Sequence, residues 1–168
     1  MTGKNKQSAG LLLFRRQDFS PKESGLEVFL VHPGGPFWAK KDLGAWSIPK
    51  GEYLADEEPL AAALREFEEE TSFGEIGSMP RSAFISLGTI RQIGGKVVTA
   101  WAVEFDVDST RIISNLCEIE WPPRSRRRIS VPEVDRAAWF SVPEARSRIF
   151  AAQGPFLDRL TNALAGRI

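Results

Sequence analysis

Three carboxylates carry the chemistry this sequence offers: Glu66, Glu69 and Glu70, inside the run Gly51–Phe73, GEYLADEEPLAAALREFEEETSF. From Glu57 to Thr71 the run is mostly Ala, Leu, Glu, Arg and Phe, largely good helix formers. At about 100° per residue the three glutamates gather on one flank, away from an apolar stripe of Leu60, Ala63, Leu64 and Phe67. Side chains three and four residues apart converge on a helix surface, and hard divalent cations take such oxygen ligands. Bare, the flank is unfavourable. Like charges at i and i+4 cost roughly 0.2–0.5 kcal/mol per pair, and acids near a helix C-terminus oppose the macrodipole. Arg65 alone does not balance Glu66, Glu68, Glu69 and Glu70. Taken alone, the pattern fits either a metal site or a solvated acidic face.

The spacing resembles the Nudix box, G-x5-E-x7-R-E-U-x-E-E-x-G-U, where U is a bulky apolar residue. Gly51, Glu57, Arg65, Glu66, Phe67, Glu69, Glu70 and Phe73 stand at its positions, and Ser72 replaces the second glycine. The Cβ of Ser72 opposes the left-handed exit that glycine takes from a helix, so the exit geometry is left open. The resemblance implies an α/β fold, the Nudix α/β/α sandwich, with a mixed central sheet and the box as loop-helix-loop. It implies Mg2+ or Mn2+ held by Glu66, Glu69 and Glu70. It gives Arg65 a structural role, bracing the box by pairing with Glu57. Gly51 is expected where the loop turns sharply and its backbone approaches the metal. The segment Trp46-Ser47-Ile48-Pro49-Lys50-Gly51 is similar to the diadenosine polyphosphate hydrolases of the same superfamily. By that likeness the Lys50 carbonyl is a further metal ligand, the alternative being that its side chain meets a phosphate. The superfamily also often places a carboxylate a few residues before a Trp-ending strand. Glu133, six residues before Trp139, fits that place, with Asp135 the neighbour to test next.

Composition bounds the rest. The 168 residues suit one domain, 1–168, and are 42% apolar and 26% charged, a globular profile. The formal net charge is zero, so no global field draws the chain to nucleic acid or membrane. A single cysteine, Cys117, rules out an internal disulfide and suits a reducing cytoplasm. No apolar run approaches the roughly 18 residues of a membrane span, and Met1–Gly10 is too polar for a signal peptide.

Around the box, Ser8–Arg15 reads as a buried strand, although its Leu run alone also fits a helix, and Leu26–His32 as its hairpin partner, with Gln17–Gly25 a loop. Pro33–Leu43 mixes Gly, Pro, Phe37, Trp38 and lysines, either a ligand-gripping loop or a packed Ω-type loop. Gly44–Gly51 leads a short strand into the box, whose helix Asp56 is expected to cap. Ser82–Gln92 and Lys96–Phe105 flank Gly94-Gly95 as a hairpin, the second run covered on both faces. Asp106–Pro132 reads as one long loop of the kind that is functional or disordered. Glu133–Ser141 follows as a Trp-ending strand, and Pro143–Ala151 and Pro155–Ala165 read as short helices, the last with a stripe of Phe156, Leu157, Leu160 and Leu164.

Within the long loop, Trp121, Arg124, Arg126, Arg127 and Arg128 supply what a phosphate-and-base grip needs: guanidinium forks for oxygens and an indole for stacking. The alternative is a solvated basic loop. The substrate-binding expectation rests on Lys50, Trp121, Arg124, Arg126 and Arg128. The expected reaction is Mg2+- or Mn2+-dependent hydrolysis of a diphosphate linkage in a nucleoside-diphosphate derivative, by water attack at phosphorus. Glu66, Glu69 and Glu133 are the candidate catalytic residues, with Glu66 or Glu133 taking the proton. Small nucleotides are the expected partners, first dinucleoside polyphosphates or nucleoside triphosphates. The alternatives are RNA 5′ ends and a non-catalytic nucleotide sensor on the same fold.

Overall fold

The computed structural model describes residues 6–17 and 25–166. Gln17–Gly25, expected to be a loop, lies largely outside them. Strand β1 (Gln7–Arg16) is the hub, because its Leu run is buried on both faces. It pairs antiparallel with β2 (Leu26–Pro33), as expected of a hairpin, Phe14 lying opposite Val28. It also pairs antiparallel with the short β3 (Lys50–Glu52), Gly10 opposite Lys50. On its other side it runs parallel to β5 (Val97–Glu104), which turns back through Gly94-Gly95 to β4 (Ile85–Arg91). Both glycines have positive φ, 91° and 84°, the backbone a tight hairpin turn requires. Strand β8 (Val134–Ser141) closes the far edge on β2, giving the order β4-β5-β1-β2-β8 with β3 on β1. The sheet is therefore mixed.

Each face of the sheet buries its own core, because strand side chains alternate. Leu11, Leu13, Phe29 and Val31 pack on one side against Leu60, Ala63 and Phe67 of α1 (Pro59–Thr71). Leu12, Phe14, Val28 and Leu30 pack on the other against α2 (Val142–Arg148) and α3 (Gly154–Ala165), through Ala145, Phe156, Leu157 and Leu160. Helix, sheet, helix is the layering the sequence led us to expect. No helix of the described residues is long and apolar enough to cross a membrane.

Two expectations are corrected. Asp56 does not cap α1; Glu58 does, accepting from Leu60 N at 3.4 Å and Ala61 N at 3.0 Å. Pro59 occupies the first helical position, so the residue just before it is the one placed to reach the free N–H groups. Nor is Asp106–Pro132 without regular structure. It holds a one-turn 3-10 helix at Ser109–Arg111 and a two-stranded hairpin, β6 (Leu116–Glu120) with β7 (Arg128–Pro132), Ile119 opposite Ile129. The hairpin has few fully buried residues, so its strands lack the strong apolar alternation that would reveal them.

Candidate active site

The site is built where β3, the C-terminal half of α1 and the start of β8 meet. Helix α1 turns Glu66 and Glu70 inward and leaves Glu69 exposed. Gly51 lies against Glu66: a Cβ at Gly51 would fall 1.9 Å from Glu66 Oε2. The glycine is required by this close approach and not by a turn, since it sits within β3 and its φ is not positive. Next to it, Lys50 N donates to Glu70 Oε2 at 3.3 Å, so the box loop and helix are joined across the site.

Arg65 is the hub of the exposed side. It meets Glu57 with two parallel hydrogen bonds and also gives Nη1 to Glu66 Oε1 at 2.8 Å and to Glu69 Oε1 at 3.2 Å. The Arg65–Glu57 brace is the pairing implied by the box resemblance; the reach to Glu66 and Glu69 goes further. One guanidinium thus screens two of the four crowded carboxylates, Glu66 and Glu69.

Glu133 stands at the entrance to β8. Its N–H donates to Asn115 O at 3.0 Å, and Asn115 Nδ2 donates to its Oε1 at 3.4 Å. Asn115 N in turn donates to Glu69 O at 2.9 Å, and Ile113 N to Thr71 O at 3.1 Å. The stretch Ile113–Asn115 therefore caps the last carbonyls of α1 and ties them to Glu133. No sequence signal singled out Asn115; it lies in the run read as a loop. Ser72 ends the helix in the left-handed conformation, φ 69°, as glycine would. Its N–H bonds Glu68 O at 2.7 Å, and its Oγ donates to Ile113 O at 2.5 Å. The serine hydroxyl offsets the cost of its Cβ.

The carboxylates sense one another. Burial pushes Glu70 up to about 8, with Glu133 and Glu66 adding repulsion against the pull of Lys50. Burial also raises Glu66, despite Arg65, and raises Glu133, with Glu69 acting in the same direction. Burial pushes the Lys50 amine down, aided by Lys96. These hard oxygen donors, close enough to raise one another's protonation, are a donor set suited to a divalent cation. Among the described residues no three His, Cys, Asp or Glu side chains form a closed ligand set, since Glu66 and Glu69 are turned toward Arg65.

Asp135 is not part of this cluster. Its Oδ1 lies 2.9 Å from Nδ1 of buried His32, and Arg136 Nε is 4.0 Å away. Trp121, Arg124 and Arg126 occupy the turn of the β6–β7 hairpin, and Arg128 opens β7 facing Glu118 at 3.6 Å. Arg126 N is held by Glu120 Oε1 at 3.4 Å, and Trp121 N by Arg127 O at 2.9 Å. At about 3.4 Å per residue, β6 carries this turn well away from its foot at Asn115. Among the described residues no hydrogen bond or ion pair joins these side chains to the box glutamates. Cys117, half-buried on β6, has its thiol pushed up by burial and by Glu133, which does not suit a nucleophile.

The chain belongs to the Nudix family: the NUDIX domain model matches residues 4–160. The class this defines is a Nudix pyrophosphohydrolase, acting on nucleoside-diphosphate derivatives, and the family generally uses divalent metal ions. No curated protein matches the sequence. Solved structures do. A binary complex of a C. elegans Ap4A hydrolase is 20% identical with TM-score 0.64, covering 96% of this chain and 98% of that one. The NUDIX domain of Shewanella oneidensis NrtR, complexed with ADP ribose, is 17% identical with TM-score 0.62, covering 96% and 90%. A mutT/nudix family protein from Listeria innocua is 18% identical with TM-score 0.56, covering 96% and 94%. At these identities the likeness is one of fold.

Proposed function

We propose that the protein, acting as one domain in the cytoplasm, hydrolyses a diphosphate linkage in a dinucleoside polyphosphate or nucleoside triphosphate with Mg2+ or Mn2+. The observation that carries this is the grouping of Glu66, Glu70 and Glu133, three carboxyl groups whose burial together is unfavourable unless positive charge joins them. Glu66, Glu69, Glu70 and the carbonyl of Lys50 would hold the ion, which supplies charge at the phosphate oxygens and acidifies water.

In the reaction, a water oxygen bonds to phosphorus as the bridging P–O bond breaks, and the bridging oxygen leaves with its electron pair. The proton of the attacking water passes to Glu66 or Glu133. Asn115 would hold Glu133 for that role, and Arg65 tethers Glu66 and Glu69 side by side. The Trp46–Gly51 segment, similar to that of diadenosine polyphosphate hydrolases, supports the choice of substrate. The C. elegans Ap4A hydrolase, which matches in fold, points the same way.

The test is phosphate release from a panel of diadenosine tetraphosphate, nucleoside triphosphates, ADP-ribose and 5′-triphosphorylated RNA, each with Mg2+ and with Mn2+. Wild type is compared with Glu69→Gln. Turnover of a small nucleotide that is lost in the variant supports the reading. Turnover of RNA alone, falling steeply with salt, moves the substrate to RNA ends. Binding without turnover in either protein would replace the enzyme by a nucleotide sensor.

A further inference from the structure

A basic cleft lies on the other face of the sheet. Strand β8 pairs only with β2 among the described strands, and beside it opens a cleft of about 480 Å³. Lys40, Lys41, Arg136 and Arg148 line it against Asp42 alone, over a floor of Ala137, Ala138, Trp46 and Phe140. In a chain of zero net charge this is a local concentration of cations. Ala138 and Phe140 belong with the core under α2 and α3, whereas Ala137 and Trp139 belong with the core under α1. The central sheet therefore separates most of this cleft from the box glutamates.

The cations are set in place. Arg136 lies over the Trp46 ring, 5.2 Å from its centroid, and Arg148 over Phe140 at 5.0 Å. Arg148 Nη1 also donates to both oxygens of Asp42, whose Oδ1 accepts from Trp46 Nε1 at 2.7 Å. The facing wall is fastened from below: His32 Nε2 lies 2.6 Å from Lys41 O, and His32 packs edge-on against Trp46. Lys41 Nζ sits 3.6 Å from the Phe37 centroid. Lys40 makes no hydrogen bond or ion pair among the described residues and is exposed.

We propose that this cleft binds an oligophosphate, either inorganic or as the phosphate tail of a nucleotide. Two arginines held over aromatic rings keep forked donors pre-aimed, which suits phosphate oxygens. Because the guanidiniums lie over Trp46 and Phe140, and both rings are buried, neither ring lining the cleft is open to stack a base, and the exposed Phe37 is engaged by Lys41. The site therefore reads charge and oxygen geometry, and the nucleoside adds little. The cleft volume falls in the usual range for small-ligand sites.

Calorimetry with tripolyphosphate, ATP and adenosine, in EDTA so that no metal serves the glutamates, tests this. Tripolyphosphate and ATP should bind one to one with affinities within a few-fold of each other, and adenosine should not bind. Lys40→Gln and Arg136→Gln should each weaken tripolyphosphate by about tenfold, the loss of a charge-assisted contact. Glu69→Gln and the double variant Arg124→Gln/Arg126→Gln should leave it unchanged. Lys40→Gln alters an exposed side chain, so it reads binding even if Arg136→Gln unsettles the fold. Absence of binding at millimolar tripolyphosphate, unchanged affinity in Lys40→Gln, or loss in the hairpin variant would each overturn the proposal.

Discussion

Arg65 and Glu57 meet fork to fork, Nε to Oε1 at 2.8 Å and Nη2 to Oε2 at 3.1 Å, across the turn that opens the box helix. The same guanidinium reaches Glu66 and Glu69. A lysine has one ammonium and no planar fork, so it keeps the charge and loses the geometry. Arg65→Lys should cost about 1 kcal/mol or less in urea unfolding, because the pair is partly solvated. Phosphate release should fall by about tenfold or more, as Glu66 and Glu69 lose their common tether. A variant with normal turnover would show that the fork is dispensable.

Gly51→Ala places a methyl group where Glu66 Oε2 now sits. The carboxylate must rotate away while the strand pairing with β1 survives. Turnover should drop by about 100-fold, the usual penalty for a displacement of about 1 Å at a reacting centre. Circular dichroism should be unchanged. Retained Mg2+-dependent turnover would mean that Glu66 can move without consequence.

Metal-free protein should lose stability as pH rises. Glu70 titrates near 8 in the folded chain against an ordinary value of 4.5, and Glu66 and Glu133 are shifted in the same direction. Between those limits the folded state holds more protons than the unfolded state, so the stabilisation present below pH 4.5 drains away through about pH 8. Glu57 and Glu52, held below their ordinary values by Arg65 and Lys96, are ionised in both states across this window and add no slope. Urea midpoints in EDTA should fall from about pH 5 to about pH 8, and saturating Mg2+ should flatten the trend. A midpoint that rises with pH in EDTA would contradict the crowding of these groups.

Ser72 carries a left-handed φ with a Cβ attached, and its hydroxyl bonds Ile113 O. Ser72→Ala keeps the strain and loses the bond, whereas Ser72→Gly loses both. The glycine variant should be more stable than the alanine variant by about 1 kcal/mol in thermal or urea unfolding. Equal stabilities would mean that α1 can end elsewhere.

Asn115→Ala removes the amide that faces Glu133 Oε1 but keeps the backbone bonds to Glu69 and Glu133. If Glu133 is the base, kcat should fall with KM little changed, and the acid limb of the pH–rate profile should move to higher pH, because the amide holds the carboxyl down. A uniform loss of stability without a change in that profile would assign Asn115 to architecture alone.

How far the sequence could be read depended on whether a residue's partners were near it in the chain. The box helix and its buried stripe follow from spacings of one or two helical turns, and both are present; the Arg65–Glu57 brace, also present, is what the resemblance to the Nudix box implies. The Gly94-Gly95 hairpin turn was legible because only special φ values permit it. What escaped notice depended on distant partners. Asn115 matters because two remote elements present Glu69 O and Glu133 to it. Asp135 and Glu133 are two residues apart, yet a register shift between His32 and Pro33 separates their surroundings. Neither residue's own identity reveals which of them joins the box. The β6–β7 hairpin was missed because its residues are mostly exposed or half-buried, leaving little hydrophobic period to detect.

The foot of that hairpin and its tip are under very different obligations. At the foot, Asn115 and Glu133 are fastened to the box helix, so an insertion there would drag the acid out of line. At the tip, residues 121–127 bond, among the described residues, only to one another and to Glu120, which leaves their length and composition little constrained by the box. Grafting a foreign turn between Glu120 and Arg128 should accordingly leave the sheet and the box glutamates undisturbed.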